Sequence, residues 1–319
     1  MALLEQGFAV RGTLRDLERV DEVRSVINRP YAELEFCFAD LEADEGWEQA
    51  TFGCTYVLHV ASPFPAEQPD DPDELIIPAR DGALRVLKAA RFADVKRVVM
   101  TSSIAAIMGE PTKPKGYVYD ESDWTDTSHP SVTPYEKSKT IAEKAAWNEA
   151  KRYGSPELVT ILPGAVLGPL LSRDYSPSAD LVRLLLNRAM PACPRVAFNC
   201  VDVRDVAAAH VTAMITPNAN GQRYVCAIDP IWLKEVARIL DQNLKAEGWK
   251  VPTYALPDLV VKIGAFFDPT LKRISGSLGR SHQVDNSKIV DELAISLRSN
   301  RTMIVEMAHS LIELGLVEK

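Results

Sequence analysis

Tyr56-Val-Leu-His-Val-Ala61 is a continuous apolar run, the mark of a strand buried on both faces of a sheet. It stops at Ser62-Pro-Phe-Pro65, and the Pro/Asp-rich stretch 63–73 reads as a loop. Residues 74–93 then look helical, and Arg97-Val-Val-Met-Thr-Ser-Ser103 is a second buried strand. On the N-terminal side, Phe8-Ala-Val-Arg-Gly-Thr-Leu14 and Glu33-Leu-Glu-Phe-Cys-Phe-Ala39 read as strands. Between them Leu17, Val20, Val23, Val26 and Ile27 are spaced for a helix face, and residues 2–6 form a last helical turn stopped by Gly7. On the C-terminal side a helix opening near Pro134 precedes a strand at Leu158-Val-Thr-Ile-Leu162. Strand and helix alternating at this spacing predict an α/β fold, a doubly wound parallel sheet with crossover helices.

In such sheets ligands sit beyond the carboxyl ends of the strands. Four polar or breaker clusters occupy those ends: Arg15-Asp16, Asp40-Leu41, Ala61-Ser62-Pro63 and Thr101-Ser102-Ser103. After Gly164 the alternation loosens. Helices are expected at 178–190, 206–215, 231–244, 257–267, 288–294 and 301–314, with a strand at Arg223-Tyr-Val-Cys-Ala227.

Composition narrows the partners. A formal charge of −8 argues against nucleic acid or an anionic membrane, both of which reward basic patches. Cys37, Cys54, Cys193, Cys200 and Cys226 include no Cys-x-x-Cys pair, so reduced thiols in a reducing compartment are expected. The histidines are dispersed, and no metal-ligand cluster stands out. No apolar run approaches the roughly 20 residues of a membrane span, and Met1-Ala-Leu-Leu-Glu-Gln-Gly7 does not resemble a signal peptide. A soluble, cytoplasmic protein with a small-molecule ligand is the expectation.

Chemistry concentrates in Ser131-Val-Thr-Pro-Tyr-Glu-Lys-Ser-Lys139. Thr133 can cap a helix, Pro134 suits the first helical position, and Glu136 completes a capping box. Tyr135 and Lys139 lie one turn apart and project from the same face. A phenol held beside an ammonium is a proton donor in waiting, and the cation is expected to lower its pKa from about 10. With nine tyrosines in the chain, one Tyr-x-x-x-Lys proves little by itself. Ser103, at the end of a buried strand, is placed to hold a hydroxyl against a bound substrate, although strand-end serines also bond their own backbone.

Taken together, Thr101-Ser-Ser103, Tyr135-Glu-Lys-Ser-Lys139 and Ile161-Leu-Pro-Gly-Ala-Val-Leu-Gly-Pro169 resemble the extended short-chain dehydrogenase/reductase family. Val10-Arg-Gly-Thr-Leu-Arg-Asp16, His59-Val-Ala-Ser-Pro63 and Tyr119-Asp-Glu-Ser-Asp-Trp124 resemble its dihydroflavonol 4-reductase-like carbonyl reductases, and the likeness runs from residue 2 to about residue 230. The resemblance implies a Rossmann-type cofactor domain over 1–165, to which 200–228 returns, and a smaller substrate lobe from 166–199 and 229–319. It implies reduction of an aldehyde or ketone with NADPH rather than NADH. Tyr135 would donate the proton, Lys139 would hold the ribose and keep the phenol's pKa low, and Ser103 would bond the same carbonyl oxygen. Arg15 and Arg11 would contact the 2′-phosphate, where an acid would instead suit a bare ribose. Asp40 and Leu41 would border the adenine, and Val60, Ala61 and Ser62 would line the cofactor's path with Thr101. Pro163, Gly164 and Val166 would face the nicotinamide amide. Asp202 to Asp205 reads as structural, His210 as a packed core histidine, and Arg280 as a residue facing the substrate. A homodimer through helices 80–93 and 134–152 is a further family expectation.

One family feature is missing. No two glycines are separated by a single residue, so the chain has no Gly-x-Gly-x-x-Gly turn for a pyrophosphate. The family's first strand and that turn would precede residue 1, which reads as a truncated or misassigned start to a longer reductase. That strand is central in the order 3-2-1-4-5-6, and its loss would remove buried aliphatics worth on the order of 10 kcal/mol. Two alternatives stand beside the reductase. One is a non-catalytic NAD(P)-binding or interaction protein; the other is an NAD-dependent sugar-nucleotide epimerase or dehydratase. Sugar dehydratases usually place acids after the strand-end hydroxyl, where this chain has Ile104-Ala105-Ala106. Cinnamoyl-CoA reductases carry a different sequence just before the tyrosine from Ser131-Val-Thr-Pro134.

Overall fold

Four strands run parallel in the spatial order Tyr56–His59, Arg97–Thr101, Glu157–Pro163, Arg223–Cys226. A computed structural model describes residues 1–27, 33–63, 71–109, 113, 114, 116–267, 271 and 274–319; most of the stretch 63–73 lies outside them. Side chains alternate between the sheet's two faces. Val98, Met100 and Leu158 meet Ala79, Ala83, Leu87, Ala142 and Ala146 of helices Asp73–Phe92 and Pro134–Tyr153. Val99, Val159 and Ile161 meet Ala209, Ala213 and Met214 of helix Val203–Ile215 on the opposite face. With helices on both faces, strands must be apolar throughout, which is why these segments read as unbroken runs. Helix Ser287–Leu293, expected within the lobe, packs on the sheet side through Ile289 and Leu293 instead.

Val10–Leu14 and Leu34–Phe38 form a separate parallel pair, in register from Val10 with Leu34 to Leu14 with Phe38. Among the described residues no ladder bond joins this pair to Tyr56–His59, so the sheet is in two parts. The break falls beside Tyr56–His59. It corrects the reading of 56–61 as a run buried on both faces. Val57 and Leu58 are only half-buried and Val60 is 62% exposed, because nothing described covers that edge. Arg11 ties this pair to helix Trp47–Thr51 and the turn after it. Its guanidinium bonds the Glu35 carboxylate at 2.6 Å and, from Nη1, the carbonyls of Phe52 at 2.6 Å and Gln49 at 3.0 Å.

A second core gathers Leu167, Val182, Leu185 and Leu186 with Leu233, Val236 and Leu240 of helix Leu233–Leu244. Met303, Ile304, Met307 and Leu311 of helix Asn300–Glu313 complete it. Short strand pairs tie this region together: Ala165–Leu167 with Cys200–Asp202, Cys193–Pro194 with Ala255–Leu256, and Ala197–Phe198 with Ile231–Trp232. Strands of two or three residues carry no readable period, so the sequence does not announce them, and Ile231-Trp232 were expected as helix. No helix among the described residues is long and apolar enough to cross a membrane.

Helix Pro134–Tyr153 has the punctuation its sequence predicts. Thr133 Oγ1 accepts from the Glu136 amide at 3.2 Å, the Glu136 carboxylate accepts from the Thr133 amide at 2.7 Å, and Gly154 ends the helix at φ +69°. Thr133→Ala should therefore cost about 1 kcal/mol, read as a lower urea midpoint at unchanged slope. An unshifted midpoint would show that sheet packing alone holds this helix start.

Candidate active site

Three groups separated in sequence come together at the carboxyl end of the central strands. Ser103 caps the short turn Ile104–Ala106, accepting from the Ala105 amide at 3.1 Å, and its hydroxyl also hydrogen-bonds the Tyr135 side chain. Lys139 Nζ lies 5.9 Å from the centre of the Tyr135 ring. Burial disfavours the ammonium and lowers Lys139 to about 8, with the Glu143 charge working the other way. The expected lowering of the Tyr135 phenol is corrected. Burial raises it, and the Ser103 bond only partly opposes that. Desolvating a phenolate costs more here than the neighbouring groups return, so Tyr135 stays protonated at neutral pH. That is the form a proton donor needs.

Two further residues belong to this cluster and were not singled out from sequence. His59 ends its strand buried, and burial with the nearby Lys139 charge lowers its imidazole to about 4, so the ring is neutral. Glu143, one turn beyond Lys139, is completely buried. Its carboxylate accepts from Ser102 Oγ at 2.6 Å, Thr160 Oγ1 at 2.8 Å and Trp147 Nε1 at 3.2 Å. Arg223 supplies two more bonds, from Nε at 2.8 Å and Nη2 at 3.2 Å. The same guanidinium donates to the carbonyls of Glu121 and Asp123 and stacks 3.7 Å from the centre of the Trp124 ring. The i,i+4 spacing of Lys139 and Glu143 was a legible signal; the partner 80 residues away was not.

The residues expected around a cofactor divide into free and committed groups. Arg15 is exposed at the end of Val10–Leu14 with no bonded partner among the described residues, as a phosphate contact requires. Arg11, by contrast, is already engaged, its Nε bonding Glu35 and its Nη1 backbone carbonyls. Asp16, beside Arg15, caps the turn Leu17–Arg19 through the Glu18 amide at 2.9 Å. The Asp40 carboxylate accepts from the Glu42 amide at 2.9 Å. Leu41 packs where Gly82 leaves room: a Cβ there would stand 2.9 Å from Leu41 Cβ. Val60 and Ala61 are exposed and Ser62 half-buried. Thr101 is held by His210, with Oγ1 2.7 Å from Nε2, while Nδ1 lies 2.8 Å from the Val206 carbonyl. Burial lowers the His210 pKa and keeps the ring neutral, so with Nδ1 donating to the Val206 carbonyl, Nε2 accepts from Thr101, and His210 is a buried structural histidine.

Pro163 is buried at the end of its strand, and Gly164 approaches the Asn199 carbonyl so closely that a Cβ would come within 2.2 Å. Val166 packs against the sheet-side core. Asp202 caps helix Val203–Ile215 and pairs with Arg204, and Asp205 pairs with Arg298, both structural roles as expected. Arg280 is exposed. Next to it His282 stacks edge-on with Tyr119, their ring centres 5.6 Å apart, and the strand Gln283–Val284 pairs with Val118–Tyr119.

These are the residues that could hold a phosphorylated dinucleotide. Arg15 suits the 2′-phosphate, and Tyr135, Lys139 and Pro163 to Gly164 suit the nicotinamide riboside. Among the described residues no glycine-rich turn stands between them. The model of the NAD-dependent epimerase/dehydratase family matches residues 2–227. The chain belongs to that family. Among curated relatives, cinnamoyl-CoA reductase 1 of Petunia hybrida is 33% identical over 320 residues, covering 98% of this chain and 87% of that protein. The bifunctional dihydroflavonol 4-reductase/flavanone 4-reductase of Malus domestica is 35% identical over 269 residues, covering 81% and 73%. The likeness to cinnamoyl-CoA reductases, disfavoured on the four residues before Tyr135, thus extends along the chain. Among solved structures, vestitone reductase of alfalfa superposes with TM-score 0.76 at 25% identity, covering 99% of this chain and 94% of that one. Yeast methylglyoxal/isovaleraldehyde reductase Gre2 with NADPH shares the fold at TM-score 0.80 and 24% identity, covering 98% and 94%.

Proposed function

We propose that this family member reduces an aldehyde or ketone to the alcohol with NADPH. The carrying observation is the Ser103–Tyr135 hydroxyl pair on the carboxyl edge of the sheet, with Lys139 buried one turn along the same helix face. When bound, the nicotinamide supplies the hydride that adds to the carbonyl carbon. Tyr135 Oη gives its proton to the carbonyl oxygen, and Ser103 Oγ bonds that oxygen while negative charge gathers on it. Lys139 binds the ribose hydroxyls as an ammonium, and Arg15 receives the 2′-phosphate. The reductase names among relatives at 33–35% identity support the same chemistry. Ile104, Ala105 and Ala106 are buried and apolar, so no acid follows Ser103 to drive a sugar dehydration.

The test is NADPH oxidation over a panel of aldehydes and ketones, followed by absorbance. Turnover of at least one carbonyl is expected, with activity falling as pH rises through about 8, where Lys139 loses its proton. Cofactor binding without turnover across the panel would leave the non-catalytic alternative standing.

A further inference from the structure

The strongest unassigned feature is the buried ion pair beneath the site. Glu143 faces Lys139 along one helix face, yet none of its bonds reaches a substrate or cofactor position. Its five donors come from the end of strand Arg97–Thr101 (Ser102), from Glu157–Pro163 (Thr160), from its own helix (Trp147) and twice from Arg223. Ser102 is bonded to Glu143 and is followed directly by Ser103, so the grip on Ser102 fixes the backbone that presents the Ser103 hydroxyl. Building on the carbonyl reductase reading, we infer that Glu143 is the positioning residue of this site, orienting the Ser102–Ser103 turn and placing an anion one helical turn from Lys139.

The charges around Lys139 support this. On its own helix it faces Tyr135 and Glu143, and from strand Tyr56–His59 it faces the neutral His59. Helix Asp73–Phe92, packed alongside, keeps Asp73 and Glu74 exposed, and its Arg91 meets Glu149 toward the far end. Glu157 is paired with Arg97 at the opposite edge of the sheet. Glu143 is therefore the acid that offsets the desolvation of Lys139 among the described residues, and Arg223 pairs with it where both are buried.

The decisive measurement is the pH dependence of NADPH binding and of kcat/KM in Glu143→Gln and in Glu143→Gln/Arg223→Met. The double variant removes both buried charges and so leaves neither orphaned. Loss of the anion should move the basic limb about one pH unit lower in the single variant, and less, but in the same direction, in the double variant. A purely structural pair would leave the double variant titrating like the parent, which would overturn the inference. The 13Cε resonance of Lys139, assigned by its loss in Lys139→Arg, reports the same ionisation without turnover. If no carbonyl is reduced, the reductase reading fails while this titration still decides the role of Glu143.

Discussion

Replacing Tyr135 by Phe is expected to lower turnover about 10²- to 10⁴-fold, the usual worth of a positioned proton donor, with NADPH affinity nearly unchanged. The substitution keeps the ring, its packing and its place one turn from Lys139, and deletes only the hydroxyl that bonds Ser103. Burial keeps that phenol protonated, so its loss removes the proton donor that sits against Ser103. Undiminished turnover in Tyr135→Phe would sink the assignment of this residue. A parallel collapse of cofactor binding would instead point to a misplaced helix.

Arg223→Ala should produce the largest loss of stability. The Glu143 carboxylate is completely buried, and removing its partner strands a charge away from water at a cost of about 3–5 kcal/mol. It also releases the carbonyls of Glu121 and Asp123 and uncovers the Trp124 ring. Against a typical 5–15 kcal/mol for a whole domain, such a loss shows as a large fall in the urea midpoint. Pairing the change with Glu143→Leu should recover much of it, because an apolar pair of similar volume carries no desolvation penalty. A fall below about 1 kcal/mol in Arg223→Ala would mean that water reaches Glu143.

Which parts of this were legible beforehand follows from the range of the physics involved. Elements set by local rules were readable: the capping box at Thr133 and Glu136, the shared face of Tyr135 and Lys139, and the apolar runs at 97–103 and 158–162. The arginines at 11 and 15 show the limit. Their spacing in the strand is alike, but Arg11 meets Glu35 and three backbone carbonyls around Gln49 to Phe52, while Arg15 has no described partner. Which arginine is engaged depends on a neighbouring strand and loop, not on either residue's flanks.

The sequence by itself determined the alternation that makes a parallel sheet and the motif that places a phenol, an ammonium and a hydroxyl in one chemistry. Those depend on periods of two and 3.6 residues and on cap residues, which act over a few positions. Tertiary structure alone decided that the sheet divides beside Tyr56–His59 and that Thr101 belongs to His210. It also decided that Glu143 is tied to Arg223 and that burial, rather than Lys139, governs the Tyr135 phenol. Each of these is a matter of which groups lose water and which distant partner replaces it, and desolvation is set by packing across the whole chain rather than by neighbours in sequence.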